Sequence, residues 1–386
     1  MQNPFNYGRE LRRDELVDRE AEVKQVSETI QNGEKLFLIG PRRYGKTSVL
    51  SAAAQLCEET GAKVLHLNAE AYPTLNDFTQ RLFAAATARL ASPTAKAGRQ
   101  LKRIFARLKP EFSLDLIQQQ VSGSLGLEAE SDPEQVPLLV DVLDGVEQLA
   151  QTVKHPVGLI IDEFQQLIEL GGPRAEGQIR AAIQRHRKVG YVFAGSKTRI
   201  LTEMVSDHAR PFYRLGARRF LGALPQQELV DWLCAQFARG SFEATPDVTE
   251  ELIAEAEAVP YDVQKLAYFC WSRLVESDQR RLTPALIAAA RQSIIEQDNP
   301  LYTQVWNQLT PHQKTALIAV MAESGTGLTS RPVLKKAKLT AATMQKSVAA
   351  LKQKGLLRDE EGLGKLTIRF EDPFFKKWIL YITTRV

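Results

Sequence analysis

The segment Gly40-Pro41-Arg42-Arg43-Tyr44-Gly45-Lys46-Thr47 fits the pattern G-x-x-x-x-G-K-[ST], and it constrains the fold more than any other feature of the chain. An apolar run, KLFLIG at 35–40, precedes it and reads as a buried strand. Residues from Thr47 to Glu59 have helical periodicity and stop at Gly61. A glycine-bearing turn between strand and helix curls so that successive backbone N–H groups face inward. The helix N-terminus adds its positive end, which makes a cradle for phosphate. In such a cradle Lys46 reaches the β- and γ-phosphates as a point charge, and the Thr47 hydroxyl ligates Mg²⁺. The candidate nucleotide-binding set is Gly40, Pro41, Arg42, Arg43, Tyr44, Gly45, Lys46, Thr47 and Ser48, and the expected cofactors are ATP and Mg²⁺.

The rest of the first half supplies a sheet to carry that turn. AKVLHLNAE reads as a second strand, so strand, helix and strand follow in the order of a parallel sheet covered by helices. VGLII (157–161) and VGYVFAG (189–195) are apolar in succession, as strands buried on both faces are. The first of these carries Asp162 and Glu163 to the sheet's C-terminal edge, where ligands of α/β folds sit. Asp162 is expected to hold Mg²⁺ through its water shell, because Mg²⁺ keeps several waters. Glu163 is placed to polarise the water that attacks the γ-phosphate. Ser196 ends the next strand. There it either faces the γ-phosphate or simply terminates the strand. Residues 74–153 read as mostly helical, interrupted over 122–133 by a Gly, Ser and acidic stretch expected to form a mobile loop. Pro225 opens a run of helices to about Arg291.

The last ninety residues have another character. Helical patterns at Pro311–Glu323, Arg331–Ala337 and Thr340–Lys354, followed by β-like Lys365–Phe370, match a winged helix-turn-helix. Thr340 is a candidate N-cap for the recognition-like helix, and Met344, Val348 and Leu351 give that helix an inward apolar stripe. No acidic residue occurs between Glu323 and Asp359, whereas Arg331, Lys335, Lys336, Lys338, Lys346, Lys352, Lys354 and Arg358 all do. A one-sign stretch on a helix-turn-helix is the footprint of phosphate contact. Gln345 is the one candidate base reader of the helix, so duplex DNA would be bound with weak sequence preference. Arg331, Lys335, Lys336, Lys338, Gln345 and Lys346 form the candidate DNA-binding set. The aromatic tail around Phe374, Phe375 and Trp378 reads as core of the same domain.

Overall charge neither demands nor excludes a nucleic acid: the formal net charge is only +4 over 386 residues. The chain has no run of 18 or more apolar residues, which argues against a membrane partner. Three scattered cysteines, Cys57, Cys234 and Cys270, have no metal-ligand spacing and fit a reducing cytoplasm.

These motifs, in order, resemble the archaeal-type ATPase family, a branch of prokaryotic AAA+/STAND-like P-loop ATPases related to origin-recognition-type initiators. NPFNYGRELRRDELVDREAEVKQV, GPRRYGKTS, IIDEFQQL, AGSKTRI, RPFYRLGARRFLG and VPYDVQKLA carry the resemblance, which spans essentially the whole chain. It implies an α/β fold, a P-loop NTPase (AAA+-like) parallel sheet with a helical lid and a C-terminal winged helix, with domains at 1–222, 223–297 and 298–386. It implies that Leu16–Glu20, with Arg19, folds against the adenine. From the residues alone the same segment is a helix start, with Asp18 as candidate N-cap. The family pattern makes Arg214 a candidate γ-phosphate arginine, acting in cis or on a neighbour, alongside Lys46, Asp162, Glu163 and Ser196 as the catalytic set. Pro260 and Tyr261 are implied to lie near the base, and Ala258 stands where the family usually has glycine.

Two functional readings follow. In one, the chain is a Mg²⁺-dependent ATPase, hydrolysing ATP to ADP and phosphate, whose nucleotide state gates DNA association through the winged helix. In the other, it is a STAND-like nucleotide switch with slow hydrolysis, acting on a protein partner or by self-association.

Overall fold

The strands that read as apolar runs stack beside one another for a simple reason: each is greasy on both faces and needs a helix layer on each side. The computed structural model describes residues 2–91, 135–172, 174–196, 198–362 and 365–384; the stretch 122–133, expected as a mobile loop, lies outside them. The described residues form two compact units, Glu10–Gly222 and Met1–Arg9 with Ala223–Val386. Residues 1–9, expected with the nucleotide domain, therefore belong with the second unit.

In the first unit five strands form one parallel sheet: β1 (Lys35–Ile39), β2 (Lys63–Asn68), β3 (Val157–Asp162), β4 (Val189–Gly195) and β5 (Ala217–Phe220), in spatial order β2-β3-β4-β1-β5. Every residue of β3 and β4 is buried. Helices α1 (Glu20–Asn32), α2 (Lys46–Glu59), α3 (Leu75–Leu90), α4 (Gln135–Ala150), α5 (Gln165–Gly171), α6 (Ala175–Ile183) and α7 (Thr198–Ser206) accompany the sheet. An aromatic cluster on one face joins three strands' worth of chain. Phe193 lies 5.1 Å from Phe37 and 4.5 Å from Phe164, ring centre to ring centre, and Phe164 meets Phe212 edge-on at 5.4 Å.

Two details of this unit differ from expectation. β5, sequence ARRF, is a strand not among those expected from the sequence. It is an edge strand with Ala217, Arg218 and Phe220 exposed, so it carries no apolar run to betray it. Asp18 does not cap α1: its backbone is left-handed (φ 45°), and Arg19 stands at the N-cap without a capping side-chain bond.

The second unit is helical, then mixed. It comprises α8 (Gln226–Ala238), α9 (Pro246–Glu255), α10 (Pro260–Glu276), α11 (Pro284–Asn307), α12 (Pro311–Ala322), α13 (Arg331–Ala337), α14 (Ala341–Gln353), the antiparallel hairpin β6 (Leu357–Gly362) and β7 (Lys365–Phe370), and α15 (Pro373–Thr384). One hydrophobic core runs from Phe5 through Trp271 and Leu317 to Ile379. Phe5 is its N-terminal plug, with its ring 4.8 Å from Phe237 and 5.7 Å from Trp232; burying a side chain of this size contributes about 1.5–3 kcal/mol. Asn3 fixes the same segment by donating to the Tyr268 carbonyl at 3.1 Å. α11 crosses the expected 297/298 boundary without a break, and α15 is tied back to α9 and its C-terminal turn by Lys377–Glu255 (2.6 Å) and Lys376–Glu257 (2.5 Å).

The winged-helix pattern lies in α12–α15. Thr340 caps α14 by accepting the Thr343 N–H, and Met344, Val348 and Leu351 are buried. β6, sequence LRDEEG, has no apolar alternation and is visible only as the partner of β7. Arg358, counted above with the surface cations, is buried instead. Its guanidinium donates to the Phe370 carbonyl at 2.6 Å and lies 3.4 Å from Glu360.

Candidate nucleotide-binding site

The sheet order brings the loops after β1, β3 and β4 to one edge, since Ile39 is paired with Gly195 and β3 lies beside β4. The loop after β1 is bent by two left-handed residues, Arg43 (φ 68°) and Gly45 (φ 83°), with α2 starting at Lys46. Such turns gather backbone N–H groups on the concave side. Gly40 anchors the loop, its N–H donating to the Gly195 carbonyl at 3.4 Å. Lys46 is 5% exposed and its ammonium donates to the Pro41 carbonyl at 3.0 Å, inside the loop it belongs to.

Asp162 sits at the end of β3 and is buried. The Thr47 hydroxyl donates to its Oδ2 at 2.8 Å, while the Glu163 N–H donates to its Oδ1 at 2.9 Å. The motif after β1 and the motif after β3, 115 residues apart, therefore meet in one hydrogen bond. Among the described residues no group of three or more His, Cys, Asp or Glu side chains gathers to hold a metal ion. Among the described residues, a cation here would be held by Asp162 and Thr47. That donor set fits Mg²⁺, which takes one or two protein oxygens and completes its octahedron with phosphates and water.

Glu163 has a left-handed backbone (φ 51°) and a carboxylate held unevenly. Oε2 accepts from Gln165 Nε2 (2.6 Å), the Ser196 hydroxyl (2.8 Å) and the Ser196 N–H (3.1 Å). Burial pushes the carboxyl up, but the Gln165 bond, the nearby Lys46 charge and the two bonds from Ser196 outweigh it and hold the group below the usual carboxylate range. A buried ionised carboxylate beside a candidate phosphate cradle can act as an acceptor for a water proton.

The other expected residues fall around this centre in different ways. Tyr44 is buried, and Arg42 is exposed and pairs with Glu70 at 2.9 Å. Ser48 points its hydroxyl at the Leu11 N–H (3.0 Å), fixing the segment before α1 onto α2. Arg19 is buried and donates to the Gly222 carbonyl at 2.6 Å; Glu22 pairs with it at 3.9 Å and with Arg219 at 2.8 Å. Burial pulls the Arg19 guanidinium down from its ordinary range. Arg214 is exposed, left-handed (φ 55°), and lies over the Tyr213 ring at 5.1 Å. Pro260 and Tyr261 belong to the second unit, where they open α10 and Tyr261 meets the Tyr7 ring edge-on at 6.2 Å. The position where the family glycine was expected, Ala258, has φ 53°, which explains why glycine suits it. Gln165 was not singled out from the sequence. Its only signal is a polar residue two places after Glu163, at the first position of α5.

The candidate DNA-binding side chains are all on the surface. Arg331, Lys335, Lys336 and Lys338 lie on and just after α13, and Gln345 and Lys346 on the outer face of α14.

A parallel sheet bearing these two motifs at its C-terminal edge, followed by helices and a winged helix, is the fold of the P-loop ATPases that end in a winged-helix domain. A family model described as "Probable winged helix domain" matches residues 300–381. The fold as a whole is similar to the Walker-type ATPase of Pyrococcus abyssi: TM-score 0.61 and 17% identity, over 98% of this chain and 99% of that one. It is also similar to two Aeropyrum pernix proteins. ORC2, solved as ADPNP–ADP complexes, gives a TM-score of 0.53 at 15% identity over 96% of this chain and 95% of that one. ORC1, solved in complex with DNA, gives 0.51 at 15% identity over the same shares. No curated protein matches the sequence. No described helix is long and apolar enough to cross a membrane.

Proposed function

We propose that this chain binds ATP with Mg²⁺, hydrolyses it to ADP and phosphate, and uses the nucleotide state to gate association of its winged helix with duplex DNA. The observation that carries the first part is the Thr47–Asp162 hydrogen bond with Glu163 beside it, which places a phosphate-loop hydroxyl, a buried carboxylate and a candidate base at one point. Gly40–Thr47 would cradle the phosphates, with Lys46 turning from the Pro41 carbonyl to the β- and γ-oxygens. Thr47 and Asp162 would hold Mg²⁺, which supplies positive charge to the phosphate oxygens. Glu163 accepts a proton from the water that attacks the γ-phosphorus, as the bond to the bridging oxygen breaks and leaves ADP and inorganic phosphate. Ser196 serves this step through Glu163. Arg214, exposed on its own chain, is suited to serve the γ-phosphate of a second copy.

The exposed cations of α13 and α14 support the DNA part, as does the fold shared with an ORC1 protein solved on DNA and an ORC2 protein solved with ADPNP and ADP. The scarcity of base readers on α14 favours weak sequence preference. It also leaves a second reading, a nucleotide switch whose winged helix meets a protein. One experiment separates them: ATP turnover with and without duplex DNA for the wild type, Lys46→Ala and Glu163→Gln. Turnover that DNA stimulates and both substitutions abolish supports the reading. Slow turnover indifferent to DNA favours the switch, and activity that survives Lys46→Ala refutes the site.

A further inference from the structure

Glu163 presents two different oxygens. Oε2 is saturated by three donors, and Oε1 accepts no hydrogen bond among the described residues. Two of the three donors come from Ser196, the residue that ends β4. The third, and the shortest, comes from Gln165 at the first position of α5. The bond is made at some cost to the fold. The Gln165 amide is packed beneath the end of β4, and its own Oε1 is buried without a hydrogen-bond partner among the described residues. Gly195 leaves it that place: a Cβ there would stand 2.1 Å from Gln165 Oε1 and 2.5 Å from Leu201 Cδ1, so one of these side-chain ends would have to move. The Phe164 N–H, donating to the Ala194 carbonyl at 2.8 Å, holds the Glu163–Gln165 turn against the same strand end. A left-handed Glu163, an orphaned amide carbonyl and a glycine that makes space for it are three departures from the easy arrangement, and they converge on one carboxylate oxygen.

We infer that Gln165 is a positioning residue for Glu163: with Ser196 it clamps Oε2, fixes the plane of the carboxylate, and leaves Oε1 as the single acceptor turned to the attacking water. This rests on the reading of Glu163 as the base. Gln165 touches neither water nor phosphate in this scheme; it acts by removing the freedom of the group that does. Small errors in such placement are expensive, since displacement of about 1 Å can cost about 100-fold in rate.

The test uses the whole chain with Gln165→Met, which keeps the packed volume and lacks the donor, and Gln165→Ala beside it. Turnover number falls by roughly 10- to 100-fold in both, while the affinity for a fluorescent ATP analogue stays within about twofold of wild type. The double variant Glu163→Gln, Gln165→Met turns over no more slowly than Glu163→Gln, because a residue that acts through another adds nothing once the other is gone. A readout without nucleotide accompanies this. Thermal unfolding of the two single variants and the double gives non-additive shifts, the signature of a direct Glu163–Gln165 bond. Wild-type turnover in Gln165→Met, or losses that multiply with those of Glu163→Gln, overturns the inference while the ATPase reading stands. A wild-type chain without turnover, or a Glu163→Gln variant at full speed, overturns that reading and the inference with it.

Discussion

The two units treat charge in opposite ways. At the edge of the parallel sheet, Lys46, Asp162, Glu163 and Ser196 are each 9% exposed or less, and each is held by a named partner within 3.1 Å. On the winged helix, Arg331, Lys335, Lys336, Lys338 and Lys346 stand in solvent, and none has an ion pair among the described residues. The first arrangement is largely preorganised: the hydrogen bonds of Asp162 and Glu163 are already made, while Lys46 rests on the Pro41 carbonyl. The second is adaptable. Its cations keep their hydration and side-chain freedom, and any binding of a polyanion to them would weaken with salt, because it would proceed by release of that polyanion's counterions.

The largest effect that would break this contrast is expected at Glu163. Glu163→Gln keeps the shape of the clamp but removes the base, so hydrolysis falls by ~10²–10⁴-fold with nucleotide affinity retained. Equal losses in both would mean that the carboxylate holds nucleotide instead. The winged helix is tested by replacing Lys335, Lys336 and Lys338 with alanine and titrating DNA at several salt concentrations. The log–log slope is expected to fall by about 0.9 for each lysine that meets a phosphate, with nucleotide affinity unchanged. An unchanged slope would show that the face does not meet DNA.

A smaller effect is expected where the second unit does bury charge. Glu255 lies between Lys377 (2.6 Å) and Arg291 (3.0 Å). Burial raises its carboxyl, but these two partners outweigh burial and hold it below its ordinary value of 4.5. A depressed carboxyl stabilises the fold above about pH 4.5 and loses that contribution as pH falls through the lower folded value. Glu255→Gln should cost about 1 kcal/mol at neutral pH, because the pair is partly solvated, and the loss should vanish in acid. Thermal melts at pH 7 and pH 3 check this, and a constant difference would refute it. Smallest, Ala258→Gly is expected to stabilise by about 0.5–1 kcal/mol by relieving the left-handed backbone, net of the glycine's entropy. A lower melting temperature would show that the Ala258 methyl matters more than its φ.

Legibility in the sequence followed the same division. The phosphate loop and the aspartate strand could be read because their demands are local: a glycine for a positive φ, a lysine and threonine at a helix start, apolar residues on both faces of β3. The recognition-like helix could be read for similar reasons, from Thr340 and the stripe Met344, Val348 and Leu351. What escaped depends on partners distant in the chain. ARRF is a strand only because β1 lies beside it. Arg358 is buried only because the Phe370 carbonyl and the acids of the hairpin receive it. Phe5 belongs with Trp232 and Trp271, more than two hundred residues away, and no periodicity near the N-terminus records that. Gln165 matters through one oxygen of Glu163 and through the missing side chain at Gly195, a relation that spacing alone does not encode.

The unbroken passage of α11 through residues 297 and 298 has a mechanical meaning. A helix of 24 residues spans about 36 Å, and side chains along it belong to the core that runs from Phe5 to Ile379, although Pro300 inside it removes one backbone hydrogen bond. A winged helix joined by a slack tether would search for its target independently of the helices before it. Here the link is helical, and the helices before it share one hydrophobic core with the winged helix. Exchanging the winged helix for a relative's at residue 298 would therefore cut a helix and divide that shared core.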